Sequence, residues 1–296
     1  MSRNVPSLRE FLTTGTTRER ARNAARLVTP IGVELVLIAR RNARRLKEID
    51  ASIVRDAPPP GTRVEEAIRF LVASGLDEEM VRAGSIPEDN LDYVREVVAD
   101  RLPSDRPVRA LHVGNFVGIS LCYVSWLVRE RDPDSVVVSV DPNITHRGVE
   151  QPQSHVLALL HHFGMLANNV IIPGYTLEQS AGETVNDQFE TDYLQGLACE
   201  NVFASLARVT GKRFDLVLLD GSHEEDYLER EFAAVGPLIA DDAIVVFDDV
   251  SDSWQGVARV FSRAVQDSHV VELGQDGRVG IVQVGAANDA ALTVGR

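Results

Sequence analysis

Short apolar runs alternate with longer helical patterns from residue 108 to near the end of the chain. The first run, at Val108–Val113, predicts a strand covered on both faces, and ISLCYVSWLV from Ile119 has helical spacing. Between them, Gly114 and Gly118 let the backbone turn sharply and approach a ligand. A strand, a glycine turn and a helix in this order are typical of the first ligand-binding unit of a doubly wound α/β fold.

The same alternation continues and predicts a mainly parallel sheet with helices on its faces. Further strands are predicted at Ser135–Val140, Asn169–Ile172, Phe214–Leu219 and Ala243–Phe247, with a closing pair at His269–Leu273 and Val279–Val284. The long connection Tyr175–Arg213 is predicted to be helical over Asp192–Val209.

The first hundred residues have helical spacing and no strand pattern. Predicted helices begin at Thr17 and Thr29 and continue at Arg63–Ser74, Asp77–Ala83 and Glu88–Arg101. We expect a helical extension at 1–105, which would cover the acceptor pocket or form a subunit interface. A ligand-binding domain at 106–285 and a flexible tail at 286–296 complete the predicted organisation.

Composition narrows the function classes. A net charge of −14 argues against nucleic-acid binding, which needs a basic surface. No apolar stretch is long enough to span a bilayer and no leader pattern is present, so we expect a cytoplasmic protein without membrane partners. The two cysteines, Cys122 and Cys199, lie in apolar helical patterns and are predicted to fill the core in a reduced compartment.

Acidic residues follow three predicted strands at their carboxyl ends, the edge where open α/β sheets bind ligands. Asp141 follows the glycine turn at the interval that suits an acceptor for ribose hydroxyls, although a turn residue before Pro142 is the alternative. Asp220, Asp248 and Asp249 follow neighbouring strands, which lie about 4.8 Å apart in a sheet. Such close carboxylates repel unless a hard cation such as Mg²⁺ lies between them. Helix capping is the alternative for the last two.

His223 follows Asp220 by three residues and is predicted to lie at the mouth of the same site. Histidine titrates near neutral pH and can act as a general base for a hydroxyl. The alternative is a residue that only begins the next helix. His112, inside the first strand, is predicted to make its hydrogen bonds within the fold.

With these residues identified, Val108–Val284 resembles the class I S-adenosylmethionine-dependent methyltransferases. The segment LHVGNFVGIS resembles the family's cofactor loop, and the final strand pair resembles its antiparallel edge. The resemblance implies an α/β fold with a Rossmann-like, doubly wound, seven-stranded sheet whose last strand is antiparallel. FDLVLLDGSHEEDYLEREFAAVGPLIADDAIVVFDDV is similar to macrocin-type sugar O-methyltransferases, and LLD…FDDV resembles the metal site of catechol-type O-methyltransferases.

The resemblance implies S-adenosyl-L-methionine (SAM) as the cofactor, bound by Gly114, Asn115, Phe116, Gly118, Ser120 and Asp141. It also implies Mg²⁺ or a similar divalent cation on Asp220, Asp248 and Asp249, with Asp220 and His223 as the catalytic residues. The chain departs from the family at two places. His112 stands where the family usually has an acid, and Asp241-Asp242 stands where a glycine pair is common.

The predicted reaction is methyl transfer to a hydroxyl of a small molecule, such as a sugar or another natural-product intermediate, by a homo-oligomer (a dimer or higher). The nearest alternative is a metal-independent N- or C-methyltransferase in which the aspartates are caps. A nicotinamide-dependent oxidoreductase is disfavoured because GNFVG lacks the first glycine pair of G-x-G-x-x-G. A non-catalytic SAM-binding protein would tolerate changes at Asp220 and His223.

Overall fold

The computed structural model describes residues 58–178, 184–186, 191–193, 201–210 and 213–285. The helices predicted before residue 58, the tail at 286–296 and Cys199 lie outside these residues. No helix in the described ranges is long and apolar enough to cross a membrane.

Eight α-helices and nine strands are found in the described ranges. The helices are α1 (Arg63–Ala73), α2 (Glu78–Ala83), α3 (Glu88–Val98), α4 (Ile119–Arg131), α5 (Pro152–His162), α6 (Val202–Thr210), α7 (Glu225–Val235) and α8 (Gln255–Ala264). The strands are β1 (Arg109–Val113), β2 (Val136–Asp141), β3 (Asn169–Pro173), β4 (Thr184–Asn186), β5 (Thr191–Tyr193), β6 (Phe214–Leu219), β7 (Ile239–Phe247), β8 (Val270–Asp276) and β9 (Val279–Val284). Short 3₁₀ turns lie at Ala99–Arg101, Leu166–Asn168 and Asp252–Trp254.

Seven strands form one sheet in the order β3-β2-β1-β6-β7-β9-β8. Neighbours from β3 to β7 are parallel, whereas β9 is antiparallel to both β7 and β8. The predicted fold class, a doubly wound seven-stranded sheet with an antiparallel last strand, is confirmed. Because the chain order reverses beside β1, the carboxyl ends of β1, β2 and β6 meet at the point where such sheets bind ligands.

The long connection differs from its prediction. Helix α6 begins only at Val202, because Asn201 accepts a hydrogen bond from the backbone N–H of Ala204 (2.8 Å) and so caps the helix there. Upstream, β5 pairs with β4 in a separate two-stranded sheet, so the residues from Asp192 are not continuously helical. Strand β7 begins four residues before the predicted Ala243, ahead of an irregularity in its pairing with β6.

Helices cover both faces of the seven-stranded sheet. On one face, α1 to α5 share a single apolar core with inward residues of the sheet, and on the other α6, α7 and α8 form a second core. The three helices before residue 105 belong to the first core through Leu71, Val81 and Leu91. Buried Arg63 also pairs with Glu130 of α4. Cys122 of α4 is fully buried, as predicted.

Candidate functional site

A cavity of about 440 Å³ opens at the carboxyl ends of the central strands. That volume lies in the range of small-molecule sites. Six of the residues predicted for cofactor, metal or catalysis line it: Gly114, Phe116, Asp141, Asp220, His223 and Asp249. Helix α2 also reaches the wall, through Ala83 and the following Gly84. The acids and the histidine that follow separate strands in the sequence therefore share one cavity.

The glycine turn after β1 lies directly against the end of β6. Gly114 has φ +80°, and a Cβ added to it would lie 1.8 Å from the backbone oxygen of Asp220. Gly118 begins α4 with φ +93°, and its Cβ would lie 3.2 Å from the Cα of Val156. Both positions therefore need glycine, for the backbone conformation and for the close approach.

Asp141 ties the glycine turn to the loop after β2. One carboxylate oxygen accepts a hydrogen bond from the backbone N–H of Asn115 (2.6 Å), and the other accepts one from the backbone N–H of Asn143 (2.6 Å). Each oxygen keeps a second lone pair, so the carboxylate can also accept from a ligand hydroxyl. A glycine-walled turn with an acid fixed beside it fits the adenosine part of SAM.

The other predicted cofactor residues hold the loop from behind and do not line the cavity. The Asn115 side-chain amide donates to the Ser139 hydroxyl (3.2 Å), and the Ser120 hydroxyl lies 3.1 Å from Nε2 of His112. Burial lowers the pKa of His112 to about 3, so its ring is neutral. The position where the family usually has an acid therefore carries no negative charge here.

An arginine that the sequence analysis did not single out lies among the predicted metal ligands. Arg278, in the turn between β8 and β9, donates from Nε to one oxygen of Asp248 (2.9 Å) and from Nη2 to the other. The same Nη2 lies 2.7 Å from a carboxylate oxygen of Asp249. Burial and the neighbouring Asp248 raise the pKa of Asp220 well above its usual value. Burial and Asp249 raise the pKa of Asp248, and Arg278 opposes that rise.

In this arrangement the three aspartates do not fit a divalent cation. Among the described residues, no three His, Cys, Asp or Glu side chains are placed so that they could hold a metal ion. The guanidinium of Arg278 already takes up both oxygens of Asp248 and one of Asp249. Magnesium on Asp220, Asp248 and Asp249 therefore stays a prediction from the resemblance.

His223 is held between an acid and an aromatic ring. Its Nε2 lies 2.9 Å from a carboxylate oxygen of Asp249, and its ring lies 4.0 Å from that of Trp254 at an angle of 30°. Within the described ranges, neither ring nitrogen makes a hydrogen bond of good geometry, so the approach to Asp249 is a close contact between the imidazole and the carboxylate. Asp249 itself has a left-handed backbone (φ +60°), a strain that costs about 1–3 kcal/mol in a non-glycine residue and clusters at functional sites.

Two cavity residues were missed by the sequence analysis for different reasons. Glu231 of α7 lines the cavity and is 1% exposed. Its spacing from buried Leu228, Phe232 and Val235 places an acid on the apolar face of a helix, and this pattern could have identified it. Arg278 gave no such signal, because a charged residue in a hairpin turn is ordinarily solvated.

Comparison with known proteins identifies a methyltransferase domain in the chain. Residues 111–250 match the family model described as a methyltransferase domain. No curated protein matches the sequence.

Solved structures with a similar fold include three methyltransferases. TomG from Streptomyces achromogenes, an O-methyltransferase of tomaymycin synthesis in complex with SAM, is 16% identical, with 75% of this chain and 89% of that chain covered at a TM-score of 0.49. PaMTH1 from Podospora anserina, with bound S-adenosylhomocysteine (SAH), is 13% identical, with 88% and 99% covered and a TM-score of 0.49. MycE of mycinamycin biosynthesis, in complex with Mg, SAH and mycinamycin VI, is 18% identical, with 68% and 50% covered and a TM-score of 0.41. At these identities and TM-scores, the similarity says nothing about the substrate or metal of this chain.

Proposed function

We propose that this chain, a SAM-dependent methyltransferase whose methyltransferase domain includes residues 111–250, methylates a hydroxyl group of a small molecule. A sugar or another natural-product intermediate is the proposed acceptor. One observation carries the proposal: His223, placed between Asp249 and Trp254, lines the same cavity as the glycine turn and Asp141. Since residues 111–250 match a methyltransferase domain, nothing further supports the alternative of a nicotinamide-dependent oxidoreductase.

Bound SAM supplies a methyl group that its sulfonium centre makes electrophilic. The protein therefore has to bind the cofactor, align the acceptor with it and deprotonate the acceptor hydroxyl. Gly114 allows the glycine turn to lie against the end of β6, and Asp141 keeps one lone pair on each oxygen for the ribose hydroxyls. Holding acceptor and cofactor in one closed geometry lowers the entropic part of the barrier.

His223 is the proposed base for the acceptor hydroxyl. In the tautomer with the proton on Nε2, which lies 2.9 Å from a carboxylate oxygen of Asp249, the lone pair is on Nδ1. When Nδ1 takes the hydroxyl proton, the negative charge of Asp249 stabilises the imidazolium. A positioned base of this kind contributes about 10²- to 10⁴-fold to a rate. Asp220 lines the same cavity as His223, beside the proposed acceptor.

The proposed proton transfer is derived from the protein's own residues, and the guanidinium of Arg278 lies beside Asp248 and Asp249. Magnesium dependence and homo-oligomer formation stay predictions from the sequence.

The test is a turnover assay with methyl-labelled SAM against a panel of sugars, catechols and amines, in buffer with EDTA or with Mg²⁺. We expect label on oxygen, identified by NMR of the product. His223→Gln is expected to lower kcat by about 10²- to 10⁴-fold. Its affinity for SAH, measured by calorimetry, should not change.

His269→Gln is the matched control, because His269 is exposed and does not line the cavity. Label on nitrogen or carbon would favour the N- or C-methyltransferase instead. Undiminished turnover by His223→Gln would show that His223 is not the base. Turnover that is lost in EDTA and regained with Mg²⁺ would show that the reaction needs the predicted metal.

A further inference from the structure

Arg278 lies where the sequence predicts a divalent cation. Its guanidinium donates from Nε to one oxygen of Asp248 (2.9 Å) and from Nη2 to the other, and Nη2 also lies 2.7 Å from an oxygen of Asp249. Both aspartates are buried. Buried carboxylates need a positive partner, and the guanidinium of an arginine, which is not deprotonated in proteins, supplies one permanently.

The main chain holds Arg278 in this position. Its backbone oxygen accepts a hydrogen bond from the N–H of Val250 (2.6 Å), the residue that follows Asp249. The side chain of Gln275, in the same hairpin, donates to the backbone oxygen of Val250 (3.2 Å). The hairpin is therefore bonded to the loop that carries the two aspartates. A charged group that is fixed before the ligand arrives needs no reorganisation when it acts.

Asp249 brings the guanidinium and the proposed base together. One of its carboxylate oxygens lies 2.7 Å from Nη2 of Arg278, and the other lies 2.9 Å from Nε2 of His223. Both of these side chains line the cavity. Nη1 of Arg278 forms no hydrogen bond with the residues that the structure describes, so its two N–H groups are left for a ligand.

We propose that Arg278 takes the place of the predicted divalent cation: it neutralises Asp248 and Asp249, and its Nη1 donates a hydrogen bond to the acceptor oxygen while His223 removes the proton from that oxygen. This inference rests on the proposed function, because it needs a hydroxyl as the acceptor. The negative charge that develops on the oxygen is stabilised by the guanidinium, which gives up no proton itself. The hydroxyl proton goes to Nδ1 of His223, the oxygen bonds to the methyl carbon, and the electron pair of the broken carbon–sulfur bond stays on sulfur, which gives SAH.

The first experiment measures metal binding and is independent of turnover. Mn²⁺, which carboxylates bind well, is titrated into the full chain, and free Mn²⁺ is measured by electron paramagnetic resonance. We expect the wild type to bind no more Mn²⁺ than Asp248→Asn does, and Arg278→Gln, which frees the carboxylate oxygens, to bind more than either. Combining Asp248→Asn with Arg278→Gln should remove the gain, which separates this cluster from the other acids of a chain with net charge −14.

The second experiment measures kcat with the sugar or catechol of the assay panel that the wild type methylates fastest. Arg278→Gln is expected to lower kcat by roughly 10²- to 10³-fold, as the loss of one donor to a developing oxyanion does, while the affinity for SAH in calorimetry stays the same. Arg278→Lys keeps the positive charge without the planar fork. It should therefore lose less turnover than Arg278→Gln and bind no additional Mn²⁺, and it serves as the test variant if Arg278→Gln does not fold.

Arg259→Gln is the matched control, because Arg259 is an exposed arginine that pairs with Glu225 and does not line the cavity. It should leave both kcat and Mn²⁺ binding unchanged. The inference would be overturned by a wild type that binds more Mn²⁺ than Asp248→Asn, by an Arg278→Gln variant that gains no Mn²⁺, or by one that keeps the wild-type kcat. Failure of the wild type to bind SAH, or label on nitrogen or carbon, is a separate result and would overturn the proposed function.

Discussion

Replacing Glu231 by glutamine should stabilise the protein at alkaline pH. Glu231 lies on α7 and is 1% exposed. The glutamine keeps the size of the side chain and the acceptor for the Thr176 hydroxyl. It removes a charge that burial makes costly to form.

The magnitude follows from the shift of the pKa of Glu231 from 4.5 to about 7. Because the folded state binds the proton more tightly than the unfolded state, stability is lost as the pH rises between these two values and stays lost above about 7. At about 1.36 kcal/mol per pKa unit, the charged form costs the folded wild type about 3 kcal/mol at pH 8.5. Glu231→Gln does not carry this cost, so its melting temperature should be higher by roughly 6–12 °C at that pH. At pH 5 the protonated glutamic acid resembles the amide, and the two proteins should agree within about 1 kcal/mol.

The assay is urea denaturation followed by circular dichroism, for wild type and Glu231→Gln at several pH values from 5 to 8.5. Other groups with raised pKa values, such as Asp220 and Asp248, are present in both proteins, so the difference between the curves isolates Glu231. Glu229→Gln is the matched control, because Glu229 lies on the same helix in a partly exposed ion pair with Arg263, and such a pair contributes under about 1 kcal/mol. Parallel curves from pH 5 to 8.5, or a variant that is less stable than wild type at pH 8.5, would refute the reasoning.

Three further predictions concern the aspartates and the glycine turn. Arg278→Gln should lower the free energy of unfolding by about 3–5 kcal/mol in urea denaturation, because it leaves Asp248 buried without its partner. The exposed change Arg259→Gln should cost less than about 1 kcal/mol. While Arg278 occupies the aspartates, we expect Mg²⁺ not to raise the melting temperature of the wild type. A rise is expected only in Arg278→Gln. A Mg²⁺-dependent rise in the wild type would support the predicted metal site. Gly114→Ala should abolish SAH binding in calorimetry, since its Cβ would lie 1.8 Å from the backbone oxygen of Asp220, and an unchanged affinity would contradict this account of the turn.

The sequence was sufficient for the sheet and for the residues at the ends of its strands, because both follow from local patterns. Short continuous apolar runs mark strands that are covered on both faces, and parallel strands bring their carboxyl ends to one edge whatever the connections contain. Asp141 and His223 could therefore be assigned to one site before the structure was known. The partners of these residues could not be assigned from the sequence, because they depend on contacts between distant parts of the chain. Arg278 reaches Asp248 from 30 residues away, across a hairpin whose register no local pattern specifies.

The helices before residue 105 act on the site in two ways, directly and through that hairpin. Gly84, after α2, lines the cavity, and a Cβ there would lie 2.4 Å from the Phe116 ring, so the helix end sets the position of the aromatic side chain in the glycine turn. Helix α3 holds the β8–β9 hairpin: Asn90 donates a hydrogen bond to the backbone oxygen of Asp276 (3.1 Å).

The hairpin that α3 holds carries Arg278. Its guanidinium pairs with Asp248 and Asp249, and Asp249 in turn contacts His223. A change in the packing of α3 would therefore reach the proposed base through a continuous series of contacts. Helices α1 to α3, which share a core with the sheet, are in this sense part of the structure that positions His223.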